Sequence, residues 1–211
     1  MTAVGSLLDT VRLPVEAGKV AEFNRALRAT TTAVAPTFTV VSAHHTPPGR
    51  SANERIIAAA GLDATRVLLG EIAWEYQRQL RVGDLLEGVV TYLGSRTRQG
   101  RRGGTMVLAQ GATTWHDERG WPIARTTVTL IAPQGPAATA RPVPPPDAPA
   151  APGAGLRLTR TDIVRYAGAS GDFNPVHHDD QHARALGYPG VFAMGLLPAG
   201  ILACRAAGET A

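Results

Sequence analysis

The stretch Leu85–Trp115, LLEGVVTYLGSRTRQGRRGGTMVLAQGATTW, decides the fold class. Two runs rich in β-branched and aromatic residues, 85–98 and 103–115, flank QGRRGG, where glycine permits a tight return, so the stretch predicts a long antiparallel hairpin. Upstream, EIAWEYQRQL (71–80) alternates with period two and sets Ile72, Trp74 and Tyr76 on one strand face. Downstream, DERGWP turns the chain into a further strand, IARTTVTLIA (123–132). Before these, LLDTVRL (7–13) reads as an opening strand, and VEAGKVAEFNRALRAT carries Val20, Phe23, Ala26 and Leu27 at helical spacing. Pro36 interrupts, APTFTVV reads as an extended approach to buried structure, and ERIIAAA as a helix stopped by Gly61. Successive strands after a helical first part predict an α+β fold with an antiparallel sheet.

Composition bounds the alternatives. The chain has 211 residues, 44% hydrophobic and 18% charged, the balance of a globular protein rather than a disordered tail. Its single cysteine, Cys204, cannot form an intramolecular disulfide or a four-thiolate metal site. No run approaches a membrane span, and the N-terminus lacks the charge and apolar core of a signal peptide, so a cytoplasmic location with no membrane association is expected. The formal charge is +4, but the basic residues are scattered and aromatics make up only 5%, which argues against nucleic acid as a partner. The dense basic patch is Arg96, Arg98, Arg101 and Arg102. It reads either as a solvated hairpin turn, as a subunit contact, or as a landing place for the phosphates of a carried group such as coenzyme A or an acyl carrier arm.

Between Pro133 and Pro152 eight of twenty residues are proline, with alanine filling much of the rest. Such a stretch forms neither helix nor central strand and reads as an extended tether over 133–155. It separates a first unit, 1–132, from a second, 156–211. In the second unit Thr159 and Asp162 are spaced to cap a helix bearing Ile163, Val164, Tyr166 and Ala167. GDFNPVHHDD follows as a polar loop, then a short helix stopped by Gly187, then VFAMGLLPAGILACRAA, an apolar helix with Pro198 best placed in its first turn.

The chemistry sits in YAGASGDFNPVHHDD (166–180). Asp172 and His177 are too far apart for one helix face, but a loop punctuated by Gly171 and Pro175 can bring both to one reacting site. A carboxylate and an imidazole can hold a water between them, one accepting a proton while the other donates. Asn174 can brace the loop through an Asx-type bond. By spacing alone the same residues make an ordinary turn.

Residues 163–203, IVRYAGASGDFNPVHHDDQHARALGYPGVFAMGLLPAGILA, closely resemble the MaoC-like family of (R)-specific enoyl-CoA hydratases and 3-hydroxyacyl thioester dehydratases. Residues 68–131, through Gly70-Glu71, Glu75-Tyr76 and Leu80-Arg81-Val82-Gly83-Asp84, resemble the related N-terminal dehydratase-like domain. The resemblance implies hot-dog folds, each an antiparallel sheet around a central helix, with the second unit incomplete because about ten residues follow Ile201. It implies that Asp172 and His177 are the catalytic pair, that Asn174 supports the loop, and that the Gly195 N–H faces the thioester oxygen. No metal or other cofactor is implied. The substrate would be an acyl-CoA or acyl-carrier-protein thioester, in lipid metabolism, and a homodimer or a hot-dog partner subunit is expected. The missing sheet leaves three possibilities: completion by a partner, docking of the second unit on the first, or a truncated or decayed product. The competing function is a non-catalytic hot-dog subunit that binds acyl-CoA or stabilises a partner hydratase.

Overall fold

The computed structural model describes residues 2–100, 104–134 and 156–208. Five strands form one antiparallel sheet: β1 (Leu7–Pro14), β2 (Leu68–Tyr76), β3 (Leu85–Gln99), β4 (Thr105–His116) and β5 (Pro122–Pro133). The spatial order is β1-β3-β4-β5-β2, so β3, β4 and β5 run as a meander and β1 and β2 form the edges. The hairpin read from 85–115 is the β3–β4 pair, which runs from Glu87–His116 to Gln99–Thr105 with a register shift between Tyr92 and Gly94. Arg101 and Arg102, like most of the proline-rich tether, lie outside the described residues.

Helix α1 (Ala17–Ala26) follows β1 and buries Val20, Phe23 and Ala26, the stripe its spacing predicts. The reading of 35–41 as extended is corrected by the structure: Phe38–His45 is a 3-10 helix. Local turns form it, with Phe38 N–H donating to Ala35 O and Val40 N–H to Thr37 O. They let Phe38, Thr39 and Val41 all face inward, which an alternating strand cannot do. Tyr76 Oη donates to Pro36 O at 2.6 Å, and Phe38 packs edge-on against Phe23. Helix α2 (Ala52–Ala59) carries a capping box from Ser51 and Glu54. Its Ile56 lies over β4 at Gly111, where any Cβ would collide with it.

The second unit supplies α3 (Arg160–Ser170), a 3-10 turn at Pro175–His177, α4 (Asp180–Ala185) and α5 (Leu196–Ala206), and among the described residues no strand. Thr159 and Asp162 form the predicted capping box of α3, and Pro198 occupies the first turn of α5. This unit docks on the first, the second of the three possibilities raised by the sequence. Ile163, Tyr166, Leu197, Ile201 and Cys204 enter the same buried cluster as Leu13, Phe23, Leu27, Phe38 and Trp115. Gly200 permits the closest approach of α5, since a Cβ there would stand 2.6 Å from Leu27 Cδ2. Across the seam Lys19 Nζ donates to Gly168 O at 3.2 Å, and Arg28 pairs with Asp162 at 2.6 Å.

Candidate active site

Helix α3 ends at Ser170, and Gly171 turns the chain out at φ +81°, a left-handed angle that glycine adopts without strain. The loop then folds on its own side chains. Asp172 Oδ1 accepts from Asn174 N–H at 3.3 Å, and Asn174 Oδ1 accepts from Val176 N–H at 3.2 Å, the Asx bond expected of that residue. The 3-10 turn swings His177 back, bringing its Nε2 to 3.9 Å from Asp172 Oδ2. The His177 side chain is 10% exposed and that of Asp172 38%.

A second loop sets the imidazole. Phe192 O lies 2.8 Å from His177 Nδ1, and the Phe192 ring packs edge-on against it. A carbonyl can only accept, so in neutral His177 the proton sits on Nδ1 and Nε2 is a bare acceptor. Asp180 anchors the same loop, accepting from Val191 N–H at 3.0 Å and from Arg160 at 2.8 Å. Bare Nε2 and carboxylate Oδ2 are both acceptors, and one water can donate to each across a 3.9 Å gap. The arrangement can therefore hold and deprotonate a water.

Asp172 lies on the wall of a cavity of about 360 Å³ between the sheet, the Phe38–His45 turn, the start of α2 and the end of α3. Ile72, Thr113, Trp115, Thr126 and Val128 face it from the sheet, and Leu196, the first residue of α5, from the second unit. Several of the polar groups around its sheet side are bonded to one another. Trp74 Nε1 donates to Thr39, Trp115 Nε1 donates to Thr126, and the two hydroxyls share a bond of 3.1 Å.

Gly195 is the N-cap of α5, with no side-chain cap on that helix start; the Leu197 N–H donates to Met194 O at 3.1 Å and Pro198 has no N–H, which leaves the N–H groups of Gly195 and Leu196 for an oxygen. Leu197 and Ile201 are core, whereas Leu196 reaches the cavity. Arg96 and Arg98 stand exposed near the far end of β3 and do not line the cavity that Asp172 lines. His44 is exposed near the end of the 3-10 helix and lays one side of its ring against Gly171. Partial burial, then the charge of Lys19, lowers its pKa. Tyr166 is fully buried against Phe23 and also lines the cavity. No pattern in sequence reports that second face.

An antiparallel sheet packed with helices, joined to an Asp-x-Asn-Pro-x-His loop and a helix N-terminus, defines a dehydratase-like hot-dog protein. Residues 2–126 match the FAS1-like dehydratase domain region, and residues 142–208 match the MaoC-like domain. The chain belongs to the family of the FAS1-like dehydratase domain region, and its C-terminal part is similar to the MaoC-like domain. Among solved structures, a MaoC-like dehydratase superposes with a TM-score of 0.69 at 22% identity, covering 99% of this chain and 78% of the other. HtdX from Mycobacterium tuberculosis superposes at 0.66 and 23% identity, covering 97% and 79%. A double-hotdog protein of Mycobacterium tuberculosis superposes at 0.51 and 17% identity, covering 97% and 75%. At these identities the likeness is one of fold. No curated protein matches the chain.

Proposed function

We propose that this protein reversibly hydrates trans-2-enoyl thioesters to (R)-3-hydroxyacyl thioesters, with Asp172 and His177 as the catalytic pair. The observation that carries the reading is their approach to 3.9 Å beside a cavity that Asp172 walls. In hydration the water oxygen bonds to C3 as one water proton passes to one member of the pair. The C2=C3 electron pair shifts toward the thioester, placing negative charge on its carbonyl oxygen. The α5 N-terminus at Gly195 offers N–H groups and the positive end of a helix dipole to that oxygen. A proton delivered to C2 completes the addition, and dehydration runs the same steps backwards. Asn174 holds the loop, and the cavity receives the acyl group. The thioester is carried by coenzyme A or an acyl carrier protein, whose phosphates an arginine cluster including Arg96, Arg98, Arg101 and Arg102 would meet. The units are a dehydratase-like domain over 1–132, a tether over 133–155 and a MaoC-like segment over 156–211.

A second reading has a specific observation in its favour. Among the described residues the second unit has no strand, and Leu202 on α5 and Phe173 in the loop are 62% and 60% exposed. That surface suits a non-catalytic subunit resting on a complete hydratase. Hydration of short and medium trans-2-enoyl-CoA, followed by loss of enoyl absorbance, separates the two. Turnover abolished by Asp172→Asn supports the enzyme. Tight thioester binding without turnover, or copurification with a complete hydratase, favours the subunit.

A further inference from the structure

Tyr166 is fully buried, and its hydroxyl has no hydrogen-bond partner in the structure. Among the described residues two other buried polar side-chain atoms share that condition, Asn24 Oδ1 and Thr37 Oγ1, but neither residue lines the cavity beside Asp172. Tyr166 does. The ring is held rigidly, packed against Phe23 with 5.8 Å between centroids, while Ser170 Oγ donates to the Tyr166 backbone carbonyl at 2.7 Å. Phenylalanine would fill the same slot and leave no unpaired donor, so core packing alone gives no reason for the hydroxyl. Asp172 walls the same cavity and is an acceptor. The cavity is thus lined by one residue that carries an unpaired donor and another that carries an acceptor, and the two are not bonded to each other.

An oxygen that carries both a lone pair and a hydrogen satisfies both groups. Resting on the hydratase reading, we propose that Tyr166 donates a hydrogen bond to the oxygen that joins or leaves C3, while Asp172 accepts from that oxygen. Tyr166 thereby orients the water for addition and assists the departing hydroxyl in elimination. It recognises a 3-hydroxyacyl thioester and gives no such bond to a 3-deoxy one. Burial, then the charge of Asp172, raises the pKa of the phenol and keeps it a donor. Tyr166 itself transfers no proton and breaks no bond.

Tyr166→Phe keeps the ring and its contact with Phe23, so the fold survives. Loss of one donor to the reacting oxygen lowers kcat/KM about tenfold or more. Because the equilibrium constant belongs to the two thioesters, the fall is the same in both directions. A second arm reads binding without turnover. Calorimetry compares (R)-3-hydroxybutyryl-CoA with butyryl-CoA in a His177→Asn background, with and without Tyr166→Phe. A preference for the hydroxyacyl thioester that Tyr166→Phe erases supports the assignment. An active wild type with Tyr166→Phe activity within twofold of it overturns the tyrosine assignment and leaves the hydratase reading standing. A wild type without turnover overturns the hydratase reading, and the binding arm then decides. The erased preference upholds Tyr166 as the hydroxyl-recognising group, and an absent or unchanged preference overturns it.

Discussion

Arg28 and Asp162, 134 residues apart, join the two units through a fork, with Nη2 to Oδ2 at 2.6 Å and Nε to Oδ1 at 3.3 Å. Arg28 takes a left-handed φ of 56° just past the end of α1, which aims its guanidinium at the start of α3. Asp162 is buried, and the same carboxylate accepts from the Thr159 backbone and hydroxyl, so one side chain both caps α3 and docks it.

That double duty makes docking acid-sensitive. Burial alone would raise the Asp162 pKa, but the Thr159 bonds and Arg28 outweigh it and hold it at about 2. A depressed carboxylate pKa contributes stability that is full above its unfolded value, near 4, and is lost as pH falls toward 2. We expect roughly 1–2 kcal/mol from this group at neutral pH. Arg28→Ala should therefore move the acid-unfolding midpoint upward, followed by circular dichroism. An unchanged midpoint would contradict the clamp.

Asp172→Asn and His177→Asn should leave the fold intact and remove at least about a hundredfold of hydratase activity. Asparagine at 177 can still donate to Phe192 O in place of Nδ1, but it has no group in the place of Nε2. Steady-state kinetics with matched thermal melts checks this. Activity near wild type in both variants would sink the catalytic pair.

Gly200→Ala tests how α5 is seated. The added methyl would stand 2.6 Å from Leu27 Cδ2 and 3.1 Å from Thr37 Oγ1. Leu27 is fully buried and has little room to yield. Overpacking of about 1–3 kcal/mol exceeds the roughly 0.5–1 kcal/mol that alanine gains over glycine in a helix, so a lower melting temperature is expected. A stabilised variant would mean that α5 sits farther from α1.

Val128→Phe should narrow the cavity at its sheet side. Medium-chain enoyl thioesters should lose about tenfold or more in kcat/KM relative to short ones, a pocket effect of 1–3 kcal/mol. Equal losses for both lengths would place the acyl group elsewhere.

The strands, the α3 capping box, the Asx bond of Asn174 and the position of Pro198 were legible because each depends on residues a few positions apart. Phe38–His45 was not, because its 3-10 turns are secured by partners far along the chain, such as Tyr76 on Pro36 and Phe23 on Phe38. The motif 172–177 was visible as a pattern, yet its spacing alone described a turn equally well.

By itself the sequence determined the antiparallel sheet, the helix caps and the loop residues of the site, since period and turn chemistry are written in consecutive side chains. Only the tertiary structure decided that the second unit seats its apolar helix in the core of the first. It also decided which nitrogen of His177 carries the proton, and that Tyr166, whose buried hydroxyl is unpaired, lines the cavity beside Asp172. Those outcomes depend on which distant groups share a low-dielectric space, and chain order does not specify that.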